Sequence, residues 1–171
     1  ILVMAGGVLF NFIFAILTYS TILAVWGESY IANKGNKIYV NQLAKDMGFR
    51  NGDEILMFDD YVPENFGMLQ ADLARNASRK ATVLRDGDTV NIYIDHNMIG
   101  EVLNTPGMFD LAMPFMVKEV APNSPNYGGG LQSGDRIINV AGENISFVQD
   151  AWPLLEAHTG ERVPVSVLRL D

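Results

Sequence analysis

GFRNGDEILMF at residues 48–58 and GLQSGDRIINV at residues 130–140 are variants of one phrase. Each reads Gly, a bulky apolar residue, two polar residues, Gly-Asp, a charged residue and an aliphatic pair. Glycine can take a positive φ and turn the chain sharply. The Asp that follows can accept hydrogen bonds from nearby backbone N–H groups. Ile55-Leu56 and Ile137-Ile138 then begin apolar strands. The two Gly-Asp pairs, at Gly52 and Gly134, stand 82 residues apart.

The likeness continues downstream. Pro63-Glu64-Asn65 precedes a helix-like stretch, FGMLQADLARN, with Phe66, Leu69 and Leu73 on one face. In the second copy Asp150 is placed to cap AWPLLEAH, with Pro153 tolerated in the first turn. Two similar strands follow, ATVLR at 81–85 and VSVLR at 165–169, now 84 residues apart. A period near 80 is too long for a solenoid repeat and predicts two copies of one small domain. In the first copy a turn at Asp86-Gly87-Asp88 leads to a returning strand, TVNIYID, at 89–95. Aligning Arg85 with Arg169 sets Asp171 opposite Gly87, so the returning strand of the second copy is expected to be missing from this piece of sequence.

Composition divides the chain of 171 residues unevenly. Residues 1–27 hold no Asp, Glu, Lys, Arg or His, so all 12 basic and 20 acidic residues follow. ILVMAGGVLFNFIFAILTYSTILAVW, residues 1–26, would form a helix about 39 Å long, enough for a hydrocarbon core of about 30 Å. It has no basic leader of the kind a signal peptide carries, and Trp26 suits an interface. We expect a membrane span, with Asn11 facing other helices beside Ala5, Gly6 and Gly7. A start at Ile, not Met, reads as a piece of a longer protein. The net charge of −8 offers no basic patch and argues against a nucleic-acid partner. The absence of Cys excludes disulfides and thiol nucleophiles.

A short turn, Gly-Asp, a strand, a longer helix and a strand is the layout of a PDZ domain. SPNYGGGLQSGDRIINVAG, residues 124–142, closely resembles that family's signature. NQLAKDMGFRNGDEILMFDD in the first copy is a weaker match. The fold class that follows is mostly β with α (α+β): a transmembrane helix at 1–27, a PDZ-like domain with a degenerate groove at 28–98, and a second at 99–171. By the resemblance, Ile99, Gly100, Glu101, Val102 and Leu103 form the loop and strand of the second peptide groove. Val148, Trp152 and Leu155 line its helix. A carboxylate at Glu101 would repel a free C-terminus, leaving internal segments as the better ligands.

AGGVLFNFIFAIL ahead of two such domains resembles the site-2 protease family of intramembrane zinc metalloproteases, of the regulator-of-sigma-E type. Gly7-Val8-Leu9-Phe10-Asn11-Phe12 matches the family's A-G-P-x-x-N-F with Val8 in place of Pro. The resemblance implies a bacterial inner-membrane zinc protease with periplasmic PDZ domains that screen peptide or protein substrates, of the transmembrane anti-sigma-factor kind. The zinc ligands of such a parent lie outside this sequence. His96 and His158 are 62 residues apart, and no HExxH is present. This segment is therefore not catalytic by itself. A non-enzymatic membrane-anchored PDZ adaptor is the alternative, and an HExxH helix upstream would separate the two.

Overall fold

The computed structural model describes residues 2–27 and 29–169, and side chains of the first helix from Gly6 onward. The fold is α+β. Two compact units are present, residues 1–31 and 32–171. The first unit is one helix, α1 (Leu2–Trp26). Gly6–Trp26 has a mean hydropathy of 2.1 over its most apolar window and is long and apolar enough to cross a membrane. The hydroxyl of Thr21 donates to the Leu17 carbonyl at 2.7 Å, so this polar side chain is satisfied within the helix. Gly27, at φ 67°, ends α1 in the left-handed conformation, with its N–H on the Leu23 carbonyl. Asn11 is exposed.

The second unit holds two successive α+β halves. The first runs β1 (Ile38–Val40), α2 (Gln42–Asp46), β2 (Glu54–Phe58), a 3-10 turn at Phe66–Met68, α3 (Leu69–Arg75), β3 (Lys80–Arg85), β4 (Asp88–Tyr93), α4 (His96–Asn104) and β5 (Phe109–Leu111). The second runs β6 (Arg136–Val140), β7 (Glu143–Asn144), α5 (Val148–Ala157) and β8 (Val165–Leu168). The sheets are β1-β5, β2-β3-β4 and β7-β6-β8, each pairing antiparallel.

The repeated phrase yields a repeated fold in detail. β2 pairs with β3 through Ile55↔Val83 and Met57↔Thr82, with a bulge between. β6 pairs with β8 through Ile137↔Val167 and Asn139↔Ser166, with the same bulge. Asp59 and Ala141, which follow the bulged strands, both take a positive φ, at 49° and 53°. Their N–H groups bond the Lys80 and Pro164 carbonyls, again equivalent positions.

The two cores differ in size. Among the described residues, seventeen buried apolar side chains form the first core, including Phe49, Phe58, Leu69, Leu73 and Val83. Four form the second: Ile137, Val140, Ile145 and Ala151. Ile92, Ile94, Ile99, Val102 and Met108 complete the first core, and they come from β4, the link from β4 to α4, α4 itself and the loop before β5. No described residue of the second half has that position. Asp171, on which the expected loss of the returning strand was aligned, lies outside the described residues.

Three sequence expectations are corrected here. Residues 99–103 form no loop and strand; they lie inside α4, whose start is capped by the Asp95 carboxylate on the Asn97 N–H at 2.9 Å. The spacing of Ile99 and Val102 puts both into the first core, and that burial holds the segment helical. The expected domain boundary at residue 98 therefore cuts through a helix, and the chain passes from one core to the other between Ala112 and Phe115. Finally, α5 begins at Val148, so Pro153 falls in its second turn and has no N–H for the Gln149 carbonyl. Asp150 is not the cap but the third helical residue. Its carboxylate reaches back to the N–H groups of Ser146 and Phe147, at 3.0 and 2.9 Å.

Candidate functional site

The Asp of each Gly-Asp pair is buried and held by the Arg that ends the corresponding strand. Asp53 accepts from Arg85 Nε and Nη2, both at 2.8 Å, while Arg85 Nη2 also reaches the Gly48 carbonyl at 2.9 Å. Asp135 accepts from Arg169 Nε and Nη2, both at 2.6 Å, and Arg169 Nη2 reaches the Gly130 carbonyl at 3.0 Å. The second carboxylate oxygen takes a backbone N–H in each case, from Arg50 at 2.9 Å and Gln132 at 2.8 Å. Such bidentate pairing fixes geometry as well as charge. The Arg169 guanidinium, then the Gln132 N–H, hold the Asp135 carboxyl below its ordinary value of 3.8. The Asp53 carboxylate likewise raises Arg85. This clasp ties the turn to the far strand, and the repeat of all its bonds makes the two halves copies of one unit.

Superposing the copies by these bonds defines an edge. Ile38 N–H bonds the Asp53 carbonyl and its own carbonyl takes the Gly52 N–H; Val117 does the same with Asp135 and Gly134. In the first half the other side of this strand is covered. Ile38, Tyr39 and Val40 face Leu111, Asp110 and Phe109 of β5, and Asn41 N–H bonds the Met108 carbonyl. α4 packs on α3, where Gln70 Nε2 donates to the Thr105 carbonyl at 2.8 Å and to that of Val102. Gln70 Oε1 takes the Met108 N–H at 3.1 Å. One side chain thus caps α4 and pins the approach to β5.

The second half leaves the matching edge open among the described residues. Phe115 and Val117 bond toward β6, so the backbone of Met116 and Lys118 faces away from it, with the Lys118 carbonyl accepting from Ser133 Oγ at 2.6 Å. A cavity of about 420 Å³ lies alongside, lined by Phe115, Val117, Leu131 and Ile137 together with the polar Lys118, Glu119, Ser124 and Asn126. In the first half the Phe49 ring, which precedes Gly52 as Leu131 precedes Gly134, stacks edge-on with Phe109 of β5 at 5.1 Å.

The sequence-derived site residues do not assemble as one groove. Ile99 and Val102 are buried in the first core, while Gly100, Glu101 and Leu103 lie on the exposed side of α4. Glu101 therefore stands on a helix and not at the mouth of a carboxylate-binding loop, and the repulsion argument falls with it. Val148, Trp152 and Leu155 do share α5. Val148 and Leu155 are half-buried, Leu155 against the second core, and Trp152 is 58% exposed. The clasps were missed in the sequence. The signal was present, because Arg85 and Arg169 end the two matching strands.

The halves meet through α5. Tyr39 Oη donates to Asp150 Oδ1 at 3.1 Å, and burial with that carboxylate raises the phenol above its ordinary value of 10.0. Gln149 Nε2 donates to the Leu111 carbonyl at 2.7 Å, and Val148 N–H to that of Met113. The Phe147 ring stands edge-on to Tyr39 and 3.4 Å from where a Cβ on Gly52 would lie. Gly52, at φ 93°, is thus required both by its turn and by this close approach.

The described residues do not fit a zinc site. They hold no group of three or more His, Asp or Glu side chains placed to share an ion. His158 Nδ1 instead lies 2.9 Å from Glu161 Oε2 on the surface. Known proteins agree with the fold. Residues 116–169 match the PDZ domain family. Over 177 aligned residues the chain is 24% identical to a protein of Treponema pallidum (strain Nichols) named "Putative zinc metalloprotease". That match takes in 96% of this chain and 38% of the relative, so the chain spans well under half of the relative's length. Residues 116–169 accordingly match the PDZ domain family, in a chain whose similarity to that relative runs through most of its length.

Proposed function

We propose that the chain is the substrate-screening region of a membrane-embedded zinc metalloprotease that carries out regulated intramembrane proteolysis. In this reading α1 spans a bacterial inner membrane, and two PDZ-like domains stand in the periplasm. The parent's zinc and its ligands belong to other segments. The second domain is the peptide-competent one, with Val148, Trp152 and Leu155 on its helix, while β5 and α4 fill the first. The observation that carries the reading is an apolar, charge-free helix followed by two α+β halves built on the same Gly-Asp turn and Arg clasp, the second matching the PDZ domain family.

The test uses the full-length protein that contains this chain, purified in detergent. It should hold zinc and cleave a single-span substrate whose outer domain has been trimmed. Lengthening that outer domain should suppress cleavage, and Trp152→Arg should weaken the discrimination. A full-length protein that binds no zinc and cleaves no membrane substrate would support the adaptor reading instead.

A further inference from the structure

The chain enters the second unit beside the loop that follows β2. Ala32 bridges Asn65, and the Asn33 N–H bonds the Glu64 carbonyl at 2.7 Å. Asn33 is 3% exposed, and its Nδ2 donates to the Ile55 carbonyl at 2.7 Å and the Pro63 carbonyl at 3.2 Å. The entry point is thereby fixed to residues 61–65. Only Gly27–Ile31 separate it from Trp26, the last residue of α1, so the link from Trp26 to Ala32 reaches at most about 22 Å. The loop itself is tightly made, because Phe58 and Tyr61 exchange both backbone bonds at 2.8 Å and Tyr61 Oη donates to Asp72 Oδ2 at 3.3 Å. What it presents to solvent is apolar and aromatic. Tyr61, Val62 and Met68 are exposed, and so are Tyr30 and Ile31 in the link. The charges nearby in sequence are mostly acidic: residues 51–74 hold no Lys or Arg, and Asp60 and Glu64 are exposed.

We propose that this loop, with Tyr30 and Ile31, rests in the headgroup layer of the lipid bilayer that α1 crosses. Tyrosine suits that layer, since its ring is apolar and its hydroxyl is wet. A helix of 25 residues is about 37 Å long and outlasts a hydrocarbon core of about 30 Å, which brings Trp26 to the headgroups. The short link then keeps the loop within reach of the same layer. A few apolar side chains suffice for the contact, because the tether holds them at high effective concentration. Attraction to anionic lipid is not part of it, as Asp60 and Glu64 would be repelled. This inference rests on the membrane-spanning reading of α1 and is independent of which half binds peptide.

The chain has no Cys, so single-cysteine variants each report one position. The full chain is placed one copy per phosphatidylcholine nanodisc, with an environment-sensitive fluorophore at Val62→Cys, at Ile16→Cys in α1, or at Thr89→Cys. Thr89 pairs with Leu84, at the other end of the sheet from Phe58 and Tyr61, and serves as the control. Nitroxide lipids spin-labelled at the headgroup should quench the Val62 label and leave the Thr89 label bright. A label at Met68→Cys should behave as the Val62 label does. Ile31→Asp should return the Val62 label to the Thr89 level, with far-UV spectra and melts checking that the variants remain folded. Adding phosphatidylglycerol should lessen the quenching; a gain would overturn the apolar contact. If chain-labelled lipid quenches Ile16 while Val62 stays as bright as Thr89, this inference is overturned and the membrane-spanning reading stands. If lipid quenches neither, both fall. Shielding of Val62 from aqueous iodide that requires two copies per disc would assign the loop to a second chain and also overturn the inference.

Discussion

Residues 38–111 and 115–169 share one scaffold and differ in how it is closed. Both have the Gly-Asp turn, the buried carboxylate clasped by a strand-ending Arg, the bulge and the positive-φ residue after it. Among the described residues only the first goes on to β4, α4 and β5, and this stretch, with Ile94 after β4 and Met108 before β5, adds Ile92, Ile94, Ile99, Val102 and Met108 to its core. The second leaves Trp152 and Met116 about half exposed, at 58% and 48%. The same scaffold therefore carries a covered strand edge in the first half and, among the described residues, one that no strand covers in the second. A covered edge is protected, and an open one recruits strands.

The largest expected effect comes from the clasp. Asp53→Ala strands the Arg85 guanidinium and the Arg50 N–H, and should cost about 3–5 kcal/mol by denaturant titration. Asp135→Ala should destabilise the second half in the same direction but less, because Arg169 is 41% exposed and can turn to water. Equal losses would show that the halves are alike in burial, contrary to the comparison. Next, Met108→Ala should cost about 2–5 kcal/mol, as for other fully buried side chains. Met108 lies outside every strand and helix yet is 0% exposed. A loss below 0.5 kcal/mol, on the order of a surface change, would mean that the approach to β5 does not seal the first core.

Acid should weaken the second half. The folded-state pKa of Asp135 is lowered, so its stabilisation is complete above the ordinary carboxylate range and is lost as pH falls through the depressed value. The melting temperature of the second half should drop below about pH 4 in wild type, and Asp135→Ala should remove that part of the dependence. The smallest effect is at the junction. Tyr39→Phe deletes one half-buried bond to Asp150 and should cost about 0.5–1.5 kcal/mol. It should bring the two unfolding transitions apart, if Tyr39 couples them.

Much of this was legible in the sequence. A charge-free run gives α1, the Gly-Asp phrase gives the turn and strand, and Phe66, Leu69 and Leu73 give the buried face of the 3-10 turn and α3. What failed was the segment 99–111. Ile99-Gly100 resembled a binding loop, although Asp95 and the spacing of Ile99 and Val102 already spelled a capped amphipathic helix. β5 is a three-residue strand whose partner β1 lies far upstream. Local pattern carries no information about such a pairing, and register is fixed only by the buried face. The clasps were hidden for a similar reason: nothing local links Asp53 to Arg85.

Amide hydrogen exchange at the two equivalent edges tests the central claim most directly. Tyr39 and Asn41 should be protected under β5, exchanging only with opening of the first core. Met116 and Lys118, which no described strand covers, should exchange fast in this chain. Equal protection of the two edges in this chain would contradict the account, because the second scaffold would then already be closed.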